Sequence, residues 1–331
     1  MSPLIVAFIV APLMLMSPAA PPATATPPAN CLALQTYPVA AGAHPHDVAP
    51  AADGRVWYTA QAAGALGLLD PQSGDIERVP LGAGSAPHGV IVGPDGAAWV
   101  TDGGLNAIVR VDGATHAVKT FPLPPDAGAA NLNTAVFDPA GILWFTGQSG
   151  VVGRLDPVSG AMRVWPAPRG AGPYGIAVTP GGDVFFASLA GSYLGRIEPN
   201  GDDIRIEAID APTAGAGPRR VWSDADGVLW ISEWNAGQLA RYDPATKQWR
   251  EWRLPGDDPH AYAVYVDAAG AVWLSDFGGN ALLRFDPAAA SFTRLPLPDA
   301  NAAVRQLNGR PGEVWGAESG ADKLVVVRDR C

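Results

Sequence analysis

Apolar and polar positions along this chain follow one dominant pattern, and its period is long. Short runs rich in β-branched and aromatic residues (GVIV, GIAV, YAVYV) end in Gly/Asp turns (PDG, PGG, ADG, AAG). A second run carries an aromatic residue (AAWVTD, VLWISE), a Gly/Asn turn follows (GGLN, GGN), and a third run ends in Asp (IVRVD, QLARYD, LLRFD). A DPxxG-like turn leads to a fourth run (IERVPL, VKTFPLP, REWRLPG). Gly and Asn tolerate positive φ, and alternating or apolar runs between such turns are strands. No segment shows a sustained helical period.

The four-run unit recurs. PHGVIVGPDGAAWVTDGGLNAIVRVD (87–112) is echoed by PHDVAPAADGRVWYTAQAAGALGLLD (45–70), PYGIAVTPGGDVFFASLAGSYLGRIE (173–198) and PRRVWSDADGVLWISEWNAGQLARYD (218–243). Three further units centre on ILWFTG, AVWLSD and EVWGAE. The aromatic marker falls at Trp57, Trp99, Trp144, Phe185, Trp230, Trp273 and Trp315, with spacings of 42, 45, 41, 45, 43 and 42. Four antiparallel strands per unit, seven times over, predict an all-β, seven-bladed β-propeller. The last unit ends at LVVVRDRC, three strands with no fourth, while LALQTYPV (32–39) stands alone ahead of the first. The N-terminal strand is therefore expected to complete the last blade and leave no open sheet edge.

Composition narrows the class. With 39 Gly, 33 Pro and 16% charged residues the chain is unsuited to helical bundles, and 48% apolar residues suffice for a large core. A net charge of −10 and a pI near 4.9 disfavour nucleic-acid binding and polybasic membrane binding. Length alone would suggest two domains. The repeat instead runs unbroken through the midpoint, so one propeller over 45–331, with strand 32–39, is expected to act as a monomer. Residues 4–16 (LIVAFIVAPLMLM) followed by Ala23-Thr24-Ala25 read as a signal peptide over 1–25, with a lead-in and closing strand over 26–44. Export to the periplasm or medium follows, with no membrane span after processing. Only two cysteines exist, Cys31 and Cys331. Strand alignment puts them at equivalent places in the missing hairpin turn of the composite blade. A disulfide there would close a loop of about 300 residues, worth roughly 5 kcal/mol in the chain-entropy model; the alternative is two free thiols.

Two positions per repeat are expected to face a central channel. One lies eleven residues before the marker: His46, His88, Asn133, Tyr174, Arg219, Tyr262 and Val304. The other lies three after it: Ala60, Asp102, Gly147, Ser188, Glu233, Asp276 and Glu318. Buried charges need partners, so these rings are either a site or a self-satisfied polar plug. The densest constellation is Arg219, Arg220, Glu233, Trp234, His260, Tyr262, Asp276 and Phe277. It suits an anionic or aromatic small-molecule ligand and a hard cation held by carboxylate oxygens. His88 with Asp102 is a second candidate pair. His44 and His116 read as surface residues.

Units of the form PHGI…DGxxWFTExxxNxIGRxD, each followed by a YPLP-like strand, resemble streptogramin B (virginiamycin B) lyases over about 32–331. The resemblance implies a magnesium-dependent carbon–oxygen lyase that opens a cyclic depsipeptide at its ester by elimination. A histidine base would take the proton, and a metal on two glutamates would polarise the carbonyl. By position, the base corresponds to Tyr262, the two metal ligands to His260 and Asp276, and a substrate-contacting histidine to Arg219. His260 and Tyr262 are thus the catalytic candidates. Arg219, Trp234 and His88 are the substrate-binding candidates, and Asp276 and Glu233 the candidate ligands for Mg²⁺, or alternatively Ca²⁺. Three functions remain open: a lyase, a non-catalytic periplasmic propeller that binds a ligand or protein, and a metal-dependent lactonase-like hydrolase.

Overall fold

The computed structural model describes residues 31–200 and 203–330, so the expected signal segment and Cys331 lie outside the described residues. Seven four-stranded antiparallel sheets form the blades of a β-propeller. Their innermost strands are β2 (Pro45–Pro50), β6 (Pro87–Val92), β10 (Leu132–Phe137), β14 (Pro173–Val178), β18 (Pro218–Ser223), β22 (Ala261–Val266) and β26 (Val304–Arg310). These strands pack side by side around a central channel. In the seventh blade, β26 and β27 (Glu313–Glu318) are followed by β28 (Lys323–Asp329), which pairs with β1 (Leu32–Pro38). The expected closure by the N-terminal strand is therefore present. The Arg330 N–H donates to the Cys31 carbonyl at 2.8 Å, so the two ends of the described chain meet. Among the described residues no helix is long and apolar enough to cross a membrane.

The core lies between blades. The marker aromatics sit on the second strand of each blade and face a neighbour: Trp57 packs with Val90, Val100 and Val109 of the next blade, and Trp273 with Leu307 and Val325. Most marker indoles also anchor the turn ahead of them. The Nε1–H groups of Trp144, Trp230 and Trp273 donate to Asp138, Asp224 and Asp267, and that of Trp99 to Asp95. Trp57 instead takes the edge of the His116 ring, 5.6 Å away, so His116 is half-buried rather than a plain surface residue. Third-strand glycines serve the same packing. A Cβ on Gly153 or Gly195 would lie 2.2 Å from the rings of Phe145 or Phe186, so only glycine lets those rings lie flat on the sheet.

Two further features repeat near the channel. The innermost strand of every blade shifts register just after its start, between Pro45 and Val48, Pro87 and Gly89, Pro218 and Arg220, and at the matching places elsewhere. A bulge opposes two residues to one and leaves a backbone N–H without its ladder partner. A hydroxyl two residues after the marker takes that N–H: Thr59 accepts from Asp47, Thr101 from Gly89, Ser232 from Arg220 and Ser275 from Ala263. Several of these hydroxyls then donate to the carbonyl of the next blade's innermost strand: Thr59 to His88, Thr101 to Asn133, Thr146 to Tyr174 and Ser232 to Tyr262. The blades are thereby joined by side chains where no ladder can join them.

Candidate functional site

The bulge decides which side chains face the channel. In a regular strand successive residues point to opposite faces. Here two consecutive residues of one innermost strand do so, His46 with Asp47 and Arg219 with Arg220, while Arg305 takes the place expected of Val304. Tyr262 sits at the centre, 1% exposed. Its phenol oxygen lies 2.6 Å from the Tyr174 hydroxyl, 3.4 Å from Arg305 Nη1 and 3.5 Å from His46 Nε2. The Arg219 guanidinium lies 3.7 Å from the centre of the Tyr262 ring, 4.3 Å from that of Tyr174 and 4.9 Å from that of Trp234. Phe277 stacks on the other side of Tyr262 at 4.6 Å. Such cation–π contacts are each worth about 0.5–2 kcal/mol, the larger where water is excluded.

Below this layer Asp47 and Arg220 form a buried ion pair at 2.8 Å. Asp47 Oδ1 also faces His46 Nδ1 at 2.8 Å. A carboxylate can only accept, so Nδ1 carries the His46 proton and Nε2 turns its lone pair toward Tyr262. His88 lies against His46, ring centres 3.7 Å apart, and its Nε2 meets Asn133 Nδ2 at 3.3 Å.

The electrostatics favour negative charge at this mouth. Burial, then the guanidiniums of Arg220, Arg305 and Arg219, holds His46 well below the usual imidazole range. Burial and His46 do the same to His88, so both rings are neutral at pH 7. Burial would raise Tyr262, but Arg219, Arg220 and Arg305 outweigh it and bring the phenol below its ordinary value. Burial and Tyr262 push Tyr174 up. The Tyr174 hydroxyl, which accepts from Arg219 Nη2 at 2.9 Å, is thus the donor toward Tyr262. Of the three guanidiniums only Arg220 has a carboxylate partner among the described residues.

The remaining sequence candidates lie around the rim. His260 is half-exposed and stacks on Trp234 at 4.8 Å, with Nδ1 3.3 Å from the Trp234 carbonyl and Nε2 3.6 Å from Asp258. No hydrogen bond joins it to Tyr262. Asp276 Oδ1 accepts the His260 backbone N–H at 2.8 Å, and Glu233 Oε2 accepts from Gln238 at 2.6 Å. Asp102 is not a partner of His88. It holds a loop, accepting from the backbone N–H groups of Ala86, Gly104 and Leu105. Asp102 and Asp276 thus fasten the chain where it enters an innermost strand. Sequence reasoning missed Asp47 and Arg305 because period-two alternation hides one residue of each bulged pair. The Thr or Ser two after the marker was the available signal.

The residues present do not fit Mg²⁺ or Ca²⁺. These ions take oxygen ligands, and the two positions corresponding to glutamates hold an imidazole and an aspartate already bonded to backbone. Asp276 Oδ2 and Glu233 Oε1 are buried without partners, and neither belongs to a group of three His, Cys, Asp or Glu ligand atoms among the described residues. Among the described residues, His46, Asp47 and His88 alone form a group of three ligand-type side chains within 4.8 Å. There the carboxylate is committed to Arg220, and three guanidiniums oppose a further cation.

The fold and site define a seven-bladed propeller whose channel mouth is aromatic and cationic. A model of the virginiamycin B lyase family matches residues 29–205, and the chain belongs to that family. The virginiamycin B lyase of Staphylococcus aureus is 20% identical over 90% of this chain and 99% of that one, with a TM-score of 0.82. A streptogramin B lyase structure is 24% identical over 90% and 97%, with a TM-score of 0.81. The extracellular domain of a hybrid two-component system from B. thetaiotaomicron is 17% identical over 89% of this chain and 42% of that one, with a TM-score of 0.71. At these identities the likeness is one of fold. No curated protein sequence gives a significant match.

Proposed function

We propose that this protein works outside the cytoplasm and binds a small carboxylate-bearing ligand with a planar apolar part at the channel mouth, without a metal. The observation that carries this reading is the pair of guanidiniums, Arg219 and Arg305, that have no carboxylate partner beside a lowered phenol. The half-exposed rings of Trp234, Phe277 and His260 supply a stacking rim. Neighbours of the same fold include an extracellular domain of a two-component system, which is consistent with ligand binding in that compartment. Calorimetry with phenylacetate should show binding that weakens with salt, falls at least tenfold in both Arg219→Ala and Arg305→Ala, and is unchanged by EDTA. Binding unaffected by either substitution would overturn the assignment.

A second reading has its own support. Tyr262 sits where the family resemblance places a base, and its phenolate, favoured by the guanidiniums of Arg219, Arg220 and Arg305, would accept the substrate proton as the ester C–O bond breaks, while Arg219 neutralises a substrate carboxylate. Incubation with quinupristin distinguishes the two. Ligand binding alone predicts no linear product, whereas elimination from Tyr262 predicts product that survives EDTA and disappears in Tyr262→Phe. Product that EDTA abolishes would restore the metal-dependent reaction.

The chain's ends add a covalent element to the proposal. Leu32 pairs with Asp329, the Arg330 N–H donates to the Cys31 carbonyl, and Cys331 follows Arg330 in the sequence. We propose a Cys31–Cys331 disulfide formed on export. A thiol count on unreduced, denatured protein should find none, and two reactive thiols would refute it.

A further inference from the structure

The Asp47–Arg220 pair divides the channel, and the half beyond it differs from the mouth. That half is a cavity of about 490 Å³ between the downstream ends of the innermost strands, a size ordinary for ligand sites. Its walls are apolar, with Val90, Ile176, Val221, Val264 and Leu307. Toward its open end stand Val92, Phe137, Val178 and Trp222, all half-exposed. An apolar funnel of this kind carries a standing cost in water.

Its closed end is polar and donor-rich. Arg220, 4% exposed, borders the cavity, and its Nε–H is buried with no acceptor. Gln306 uses its side-chain oxygen to accept the Val48 N–H at 2.9 Å, which leaves its amide N–H₂ as the remaining polar group. Thr134 already accepts from Arg220 Nη1 at 2.8 Å and donates to Asn133. Asp47 borders the cavity as well, its carboxylate paired with Arg220 at 2.8 Å, so the charges of the lining balance. Unpaired N–H donors at the closed end of an apolar funnel specify an acceptor head on an apolar body.

We infer that this funnel is a second binding site, for an aliphatic carboxylate of medium chain length, entered from the face opposite the cationic mouth. The carboxylate would meet Arg220 and Gln306, and the chain would lie along the valine and isoleucine walls. This site shares no rim residue with the mouth, so it stands or falls apart from the function proposed above.

Calorimetric titration with hexanoate, octanoate and decanoate, each below its micelle-forming concentration, tests the inference. Affinity should rise about fourfold per methylene, the equivalent of about 0.8 kcal/mol for each buried CH₂. Val178→Asp at the open end should weaken decanoate at least tenfold. Gln306→Glu should weaken decanoate but spare decanol, because the new carboxylate repels only a charged head. Arg219→Ala should leave decanoate within twofold of the parent while weakening phenylacetate at the mouth at least tenfold. Affinity independent of chain length, equal binding of decyltrimethylammonium, or decanoate binding indifferent to Val178→Asp would overturn the assignment.

Discussion

Arg220→Ala should lower the stability of this protein by about 3–5 kcal/mol, the usual cost of stripping one partner from a buried ion pair. The guanidinium is held at three points: Asp47 Oδ1 at 2.8 Å, Asp47 Oδ2 at 3.4 Å and the Thr134 hydroxyl at 2.8 Å. Asp47 comes from the first blade, Thr134 from the third and Arg220 from the fifth, so one side chain ties three blades across the channel. Burial already raises the Asp47 carboxyl against the pull of Arg220, and removing the arginine leaves that group with His46 alone. Urea unfolding at pH 7 measures the loss. The double variant Asp47→Ala/Arg220→Met should recover most of it, because no charge is then stranded. A loss below about 1 kcal/mol for Arg220→Ala would mean that water or a rearranged neighbour satisfies Asp47.

Glu233→Gln and Glu318→Gln should stabilise the protein at pH 8 and do nothing at pH 4.5. Both side chains are fully buried, and burial pushes each carboxyl from 4.5 up to about 7. Neither oxygen of Glu318 has a hydrogen-bond partner, and Glu233 has one on a single oxygen. The folded protein therefore keeps both protons up to about pH 7, whereas the unfolded chain releases them near 4.5. Stability must fall as pH rises through that window and stay level above it. The full shift corresponds to about 3 kcal/mol per group as an upper figure, so a gain of about 1–3 kcal/mol per glutamine is expected at pH 8. Melting temperatures from pH 4.5 to 8.5 should diverge for parent and variants. Parallel curves would show that these carboxyls titrate normally.

The fold was legible because each blade restates the same instructions. A marker aromatic and a tight turn before it recur seven times, and an acidic residue, Asp in six repeats and Glu198 in the fourth, ends each third strand, so register errors in one copy are corrected by the others. The closure was legible for the same reason: LALQTYPV matches a strand whose partners stand 290 residues away, and the register runs from Leu32 with Asp329 to Pro38 with Lys323. The site was legible only in part. His46, His88, Tyr174, Arg219 and Tyr262 converge as their shared position implied. Asp47 and Arg305 did not stand out, because a bulge turns consecutive residues to one side and strand alternation predicts the opposite. The carboxylates three after the marker share a sequence position but not one set of partners. Asp102 and Asp276 accept backbone N–H groups, whereas both oxygens of Glu318 and one of Glu233 are buried without a partner.

The composite seventh blade also sets how the molecule is presented to its surroundings. Each innermost strand runs from the mouth to the funnel, so the hairpin turn between third and fourth strands falls on the funnel side. β28 ends and β1 begins at that turn. Any tether, surface or fused module joined to either end of the propeller would thus attach from behind, leaving the cationic mouth pointing away from it and the funnel shaded by it. The two faces of one channel would then sample different environments, the mouth meeting free solutes and the funnel meeting whatever the anchor holds close.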